Sequence, residues 1–173
     1  MEPVPLRDAE PADAPALAAV AARAFRETFG TNYPPEDLES FLASAYALPK
    51  IAHELEDPAY RCFVAEDGEG LAGYALLHDG AVEPCVAAPD PIELERIYVL
   101  QRALGSGLGQ RLLDRCIAEA IRLGKRTLWL GVWEHNLRAQ AFYIRNGFEE
   151  VGSHQFKVGN AEDRDLIFQK RLA

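Results

Sequence analysis

The chain has 173 residues, 49% of them hydrophobic, enough for one core in which roughly 70% of the unfolded surface can be buried. Its 27 acidic against 18 basic residues give a net charge of -9, which argues against nucleic acid as a partner, because phosphate backbones demand clustered Lys and Arg. Cys62, Cys85 and Cys116 lack CxxC spacing, so neither a zinc site nor a disulfide framework is expected, and a cytoplasmic location fits best. Met1 to Asp13 carries acidic residues and prolines where a signal peptide has a basic start and an apolar run, and no stretch approaches the roughly 18 apolar residues of a membrane span.

Val4 to Leu6 reads as a short strand, followed by a helix capped by Asp13 in which Leu17, Val20, Ala21, Ala24 and Phe25 recur at helical spacing. Tyr33, Pro34 and Pro35 interrupt the pattern, and Glu36 to Tyr46 forms a second helix that ends before Pro49. Arg61 to Glu66 and Leu71 to His78 flank Asp67, Gly68, Glu69 and Gly70 as a hairpin. Asp79 to Pro91, with Gly80, Pro84, Pro89 and Pro91, is a loop expected beside a binding cleft, where it and the early helices shape an acceptor pocket.

Ile92 to Leu100 is the next strand. From Gly107 the period changes, with Leu108, Leu112, Leu113, Cys116, Ile117, Ala120 and Ile121 on one helical stripe that stops near Gly124. Thr127 to Trp133 is a strand, Asn136 to Arg145 a helix closed by Asn146 and Gly147, and Phe148 to His154 with Asp165 to Lys170 a strand pair. No repeat or linker divides residues 1–173, so one domain of mixed α/β class is expected.

Gly105-Ser106-Gly107-Leu108-Gly109 lies between a strand end and a helix start, where free backbone N–H groups and the positive end of the helix dipole form an anion site. A ligand-free tight turn is the alternative. The loop is not a P-loop, since Gln110 and Arg111 follow Gly109 in place of Lys and Ser or Thr. Nor is it a dinucleotide loop, since the spacing is G-x-G-x-G and Trp129 and Leu130 stand where an acidic residue is required.

The run Leu94-Glu95-Arg96-Ile97-Tyr98-Val99-Leu100, the glycine loop, Leu112-Leu113 in the helix after it, and Asn136 followed seven residues later by Tyr143 resemble the GNAT superfamily of acyl-CoA N-acyltransferases over about the last half of the chain. The flanks Tyr33-Pro34-Pro35-Glu36-Asp37-Leu38 and Trp129 to Asn136, with Phe156 and Gly159, are similar to its PaiA-type branch, which implies polyamine acetylation. The resemblance implies a central, mostly antiparallel twisted sheet flanked by helices. It also implies that the amides of Gly105, Ser106, Gly107, Leu108, Gly109 and Gln110 hold the diphosphate of acetyl-CoA and that the backbone of Ile97, Tyr98 and Val99 pairs with the pantetheine arm. Leu104 stands where the family usually has Gln or Arg; backbone contacts are indifferent to that change, and nearby Arg102 offers a substitute charge.

A primary amine with a pKa of about 10.4 is nucleophilic in only about one molecule in a thousand at neutral pH, equivalent to roughly 4 kcal/mol, so a proton acceptor is useful. Glu93 and Glu95 point to one strand face, and either can serve directly or through a water; solvation or pairing with Arg96 and Arg102 is the plain alternative. By the resemblance one of them is the base, with Glu95 preferred, and Tyr143 is the phenol that protonates the leaving thiolate. Asn136 caps its helix, contacts the coenzyme, or does both. His53, His78, His135 and His154 show no metal spacing, and no metal is expected. The resulting expectation is acetyl transfer to a small-molecule amine in a ternary complex, by a monomer or homodimer. Acylation of a protein N-terminus or lysine, or acyl-CoA binding without turnover, are the alternatives.

Overall fold

In the computed structural model, residues 2–172 are described, apart from the side chain of Phe156. In chain order they form β1 (Leu6–Asp8), α1 (Ala14–Phe29), α2 (Pro35–Ala45), α3 (Leu48–Glu56), β2 (Tyr60–Asp67) and β3 (Gly70–His78). There follow β4 (Pro91–Val99), α4 (Leu108–Arg122), β5 (Thr127–Trp133), α5 (Leu137–Arg145), β6 (Glu149–Val158) and β7 (Ala161–Arg171). The strands make one sheet in the order β1-β2-β3-β4-β5-β7-β6, antiparallel throughout except where β4 meets β5. This is the expected mixed α/β fold. Among the described residues, no helix is long and apolar enough to cross a membrane.

Alternation along the strands supplies both faces of the sheet with apolar side chains. Phe63 and Ala65 of β2, Ala75 and Leu77 of β3, and Ile92 and Leu94 of β4 pack with Leu108, Leu112, Leu113, Cys116 and Ala120 of α4 and with Tyr143 of α5. Cys62 and Val64 of β2 and Tyr74 and Leu76 of β3 instead meet Leu17, Val20, Ala21, Ala24 and Phe25 of α1, Leu38 and Leu42 of α2, and Ile51 of α3. Each Leu, Ile, Val or Phe among them contributes about 1.5–3 kcal/mol relative to exposure, and each Ala less.

The structure corrects several expectations. Helix α2 ends at Ala45, before Pro49 as expected, but Pro49 itself sits in the first turn of α3, an element unforeseen in the sequence, where a missing N–H costs no helical bond. Asp13 does not cap α1; its carboxylate accepts from Arg7 at 2.8 Å and from the Glu10 amide at 2.7 Å. The first strand lies a little later than Val4 to Leu6, and the carbonyl of Val4 accepts from Arg111. The last two strands extend further on both sides of their turn than Phe148 to His154 and Asp165 to Lys170.

Register along β4 decides where a site can form. Leu76 faces Arg96 and Leu77 faces Leu94, so Glu95 is the extra residue of a β-bulge. The bulge shifts side-chain parity: Ile92 and Leu94 lie toward α4 before it, Ile97 and Val99 after it, while Tyr98 and Leu100 face α1. Pairing of β4 with β5 covers only Pro91↔Thr127, Ile92↔Leu128 and Glu93↔Trp129. Beyond Glu93 the two strands part.

Candidate active site

The parting of β4 and β5 opens a cleft of about 870 Å³ in the middle of the sheet, walled by residues 94–99 of β4 and 130–133 of β5. Ile97, Tyr98 and Val99 are paired to Ala75, Tyr74 and Gly73 of β3 but to nothing on the β5 side, so that edge of the backbone is left to a ligand.

The glycine loop closes one end of the cleft. Gly105 and Gly107 have φ of 79° and 82°, a conformation that L side chains resist, and the turn they make delivers the chain into α4 at Leu108. Among the described residues the amides of Gly105, Gly107, Gly109 and Gln110 donate to no acceptor, and all four residues line the cleft. Four N–H groups at a helix N-terminus form an anion cradle. Ser106 differs from the expectation: its hydroxyl donates to the Ala103 carbonyl at 2.6 Å, its amide reaches the same oxygen at 3.4 Å, and Leu108 N–H turns back onto Ser106 Oγ at 3.4 Å. Ser106 therefore shapes the turn. Leu104 likewise spends its amide on Gln101.

Arg102 does not reach this cradle. It is held on the β2–β3 turn by Asp67, by Glu69 at 3.3 Å and by the Leu71 carbonyl. Besides Arg96, which is paired with Glu54, the cleft is lined by Arg138 and Arg145 of α5, which have no ion-pair partner among the described residues and were not singled out in the sequence. The Gln110 side chain exchanges hydrogen bonds with Asn146 at 2.8 and 3.1 Å, pinning the start of α4 to the end of α5.

Asn136 caps α5, its Oδ1 accepting from Ala139 N–H at 3.2 Å, and also lines the cleft. Two turns on, the Tyr143 ring lies between Phe142 and Phe148, with centroids at 5.3 and 5.5 Å. Its hydroxyl has no hydrogen-bond partner among the described residues, and burial raises its pKa, which keeps the phenol protonated.

Glu95 lines the cleft, and its Oε2 is buried without a hydrogen bond. Neither Glu93 nor Glu95 pairs with Arg96 or Arg102. Arg96 forks onto Glu54 of α3 at 2.8 and 2.9 Å, under the Tyr46 ring. Glu93 lies outside the cleft lining beside Glu95, and burial, then the charge of Glu95, push its carboxyl up to about 7. The structure thus gives different surroundings to the two glutamates, of which the sequence reading preferred Glu95. It also brings His78, across the sheet from Glu93, to within 4.8 Å of both carboxylates, although its chain spacing gave no sign of this.

The other end of the cleft is aromatic and acidic. Phe25 and Phe29 of α1, Tyr33, Tyr98 and Trp133 surround it, with Trp133 edge-on to Phe29 at 5.8 Å and its Nε1 buried without a partner. Asp165 of β7 reaches the lining beside Gly131, where a Cβ would stand 3.2 Å from its Oδ2. Burial raises the Asp165 pKa, and His154, 3.5 Å away, partly offsets the rise. His154 is held in turn by Glu83 at 2.6 Å. Residues 79–91 do not line the cleft; Glu83 and Cys85, whose Sγ lies 3.6 Å from the Ser153 carbonyl, dock that loop on β6. Helix α1 contributes Phe25, Glu27, Thr28 and Phe29 to the lining.

The family model described as Acetyltransferase (GNAT) family matches residues 20–148. An uncharacterized N-acetyltransferase from the pepI 3' region of Lactobacillus delbrueckii subsp. lactis is 33% identical over 161 residues, covering 92% of each protein. An uncharacterized N-acetyltransferase of Mycobacterium tuberculosis is 32% identical over 160 residues, covering 92% of this chain and 98% of the relative. Among solved structures, the PaiA N-acetyltransferase of Thermoplasma acidophilum in complex with coenzyme A superposes with a TM-score of 0.78 at 22% identity, over 99% of both chains. A ribosomal-protein-alanine N-acetyltransferase of Brucella melitensis superposes with a TM-score of 0.68 at 28% identity, over 98% of this chain and 100% of the other.

Proposed function

The chain belongs to the GNAT acetyltransferase family, and from that premise we propose that it moves an acetyl group from acetyl-CoA to the primary amine of a small cationic molecule, a polyamine in the first instance, by direct attack in a ternary complex. The observation that carries this reading is a single cleft whose lining holds four unpartnered loop amides, the unpaired edge of β4, the Glu95 carboxylate and Tyr143.

The amides of Gly105, Gly107, Gly109 and Gln110 bind the diphosphate, with Arg138 and Arg145 adding charge, and Ser106 and Leu108 hold the turn in shape. The free backbone edge of Ile97, Tyr98 and Val99 pairs with the pantetheine amides, and the Asn136 side-chain N–H groups contact the same arm while Oδ1 remains the cap. Glu95 takes a proton from the acceptor ammonium, directly or through a water. The freed nitrogen then attacks the thioester carbonyl, the C–S bond breaks as Tyr143 donates its proton to the sulfur, the second amine proton leaves the nitrogen to restore the phenol, and Glu95 releases the first to solvent. For an ordinary phenol and thiol the transfer to sulfur is uphill by about 2 kcal/mol; burial raises the Tyr143 phenol further, and it disfavours the thiolate in the same cleft as well. Glu93 is the second carboxylate behind Glu95.

The acceptor's charge is read from the other end of the cleft. Asp165, Glu95 and the faces of Trp133, Phe29 and Tyr33 offer a cation carboxylates and ring quadrupoles together, which suits an amine with more than one ammonium. The likeness to a ribosomal-protein-alanine N-acetyltransferase favours a second reading, acetylation of a protein N-terminus. Screening polyamines, amino acids and peptides with a free-thiol readout separates the two. A rate confined to peptides contradicts the small-molecule reading, and coenzyme binding with no rate on any amine contradicts both.

A further inference from the structure

We propose that His78, Glu93 and Glu95 form a binding site for a borderline divalent transition cation, with Zn2+ as its representative, and that the bound ion stops acetyl transfer by engaging Glu95. The inhibitory half rests on the reading of Glu95 as proton acceptor; the binding half does not.

His78 and Glu93 are cross-strand partners on β3 and β4, and Glu95 returns to the same side through the bulge. One nitrogen and two carboxylate oxygens consequently lie within 4.8 Å of one another. Zinc draws His and carboxylate ligands to about 2.0–2.2 Å and accepts three protein ligands with water in the fourth position, so the required contraction lies within rotamer adjustment. The imidazole is already oriented: the Tyr60 ring stacks on it at 4.2 Å and 9°. The stacking restricts rotation of the ring.

The electrostatics favour a cation. Neither Glu93 nor Glu95 has a hydrogen bond or ion pair among the described residues, and Glu95 Oε2 is buried without a partner. The adjacent guanidinium, Arg96, has turned both of its nitrogens to Glu54. His154 and Arg96 offset the charge of these two half-buried carboxylates only in part, burial and mutual repulsion still raise Glu93, and a divalent ion relieves both. A second group, Glu134, His135 and Asp163, has comparable spacing, but Asp163 already accepts from Tyr33 at 3.1 Å and His135 is exposed and turned edge-on to Trp133. It serves as the internal control.

The test is a calorimetric titration of Zn2+ into the full chain without a polyhistidine tag, with no coenzyme or amine present. The expected result is one ion per chain, with affinity reduced about tenfold or more in both His78→Gln and Glu93→Gln and unchanged in His135→Gln. Acetyl-CoA affinity is expected to be unchanged in His78→Gln, which separates loss of a ligand from loss of fold. Under turnover, Zn2+ inhibits the wild-type chain, and His78→Gln loses that sensitivity. Absence of binding, or weakening by His135→Gln but not by His78→Gln, overturns the proposal. Failure to find an acceptor amine leaves the binding result standing.

Discussion

Replacing Tyr143 by Phe removes one oxygen from the cleft and little else. The ring contacts to Phe142 and Phe148 survive, and the hydroxyl makes no hydrogen bond among the described residues, so no buried partner is orphaned. Stability is therefore expected to change by less than about 0.5 kcal/mol. A general acid contributes about 10²- to 10⁴-fold, or roughly 3–5 kcal/mol at 1.36 kcal/mol per decade, and the apolar surroundings of Tyr143 favour the upper part of that range. The assay is thiol release at saturating amine and acetyl-CoA, beside a thermal melt and a coenzyme titration of the same preparation. The expected pattern is a large fall in kcat with coenzyme affinity and melting temperature unchanged. An unaltered kcat removes Tyr143 from the mechanism, and a parallel loss of melting temperature reassigns it to the core.

Glu93 supplies a pH test. Its carboxyl is raised from 4.5 to about 7 by burial first and Glu95 second, so the folded chain holds this proton more tightly than the unfolded chain. The protonated group therefore stabilises the fold at low pH, and this contribution is lost as pH rises from about 4.5 through 7. Accordingly, Glu93→Gln should melt above the wild-type chain at pH 8, with the gap closing at pH 5; a gap that widens toward low pH refutes the assignment. Glu54→Gln leaves the Arg96 guanidinium, 10% exposed, without its bidentate partner, and should cost about 3 kcal/mol in urea unfolding. It also frees Arg96 to pair with Glu95, so a folded variant should lose turnover; retention of full stability contradicts the pairing. Gly107→Ala forces a side chain into φ of 82°, costing about 1–2 kcal/mol of stability, and re-aims the loop amides, so acetyl-CoA affinity should fall with it.

Features encoded within a short stretch of chain were legible in the sequence. Thr127 to Trp133, the strand–glycine loop–helix succession and the placing of Asn136 and Tyr143 on one helix each depend on local spacing, and the structure keeps them. Helix α3 escaped because Pro49 signals both a helix end and a helix start, and its periodic stretch covers only nine residues. The bulge at Glu95 escaped for a different reason. It exists only in the register of β4 against β3, which no single strand carries, yet it distinguishes Glu95 from Glu93. Asp165, Phe29 and Trp133 meet in the cleft from three distant parts of the chain, and His78 meets Glu93 across a strand pair. The segment Asp79 to Pro91 looked like a pocket wall because proline and glycine report irregular backbone without reporting where it docks.

The central claim is that the wedge between β4 and β5, capped by the loop amides, holds acetyl-CoA by its diphosphate. Calorimetric titration of acetyl-CoA, compared with an acetylated pantetheine lacking the diphosphate, tests it most directly. The account predicts one molecule bound per chain, and at least tenfold weaker binding once the diphosphate is removed, as expected when several N–H contacts to charged oxygens are lost together. No heat with acetyl-CoA, or equal affinity for the two compounds, would contradict it.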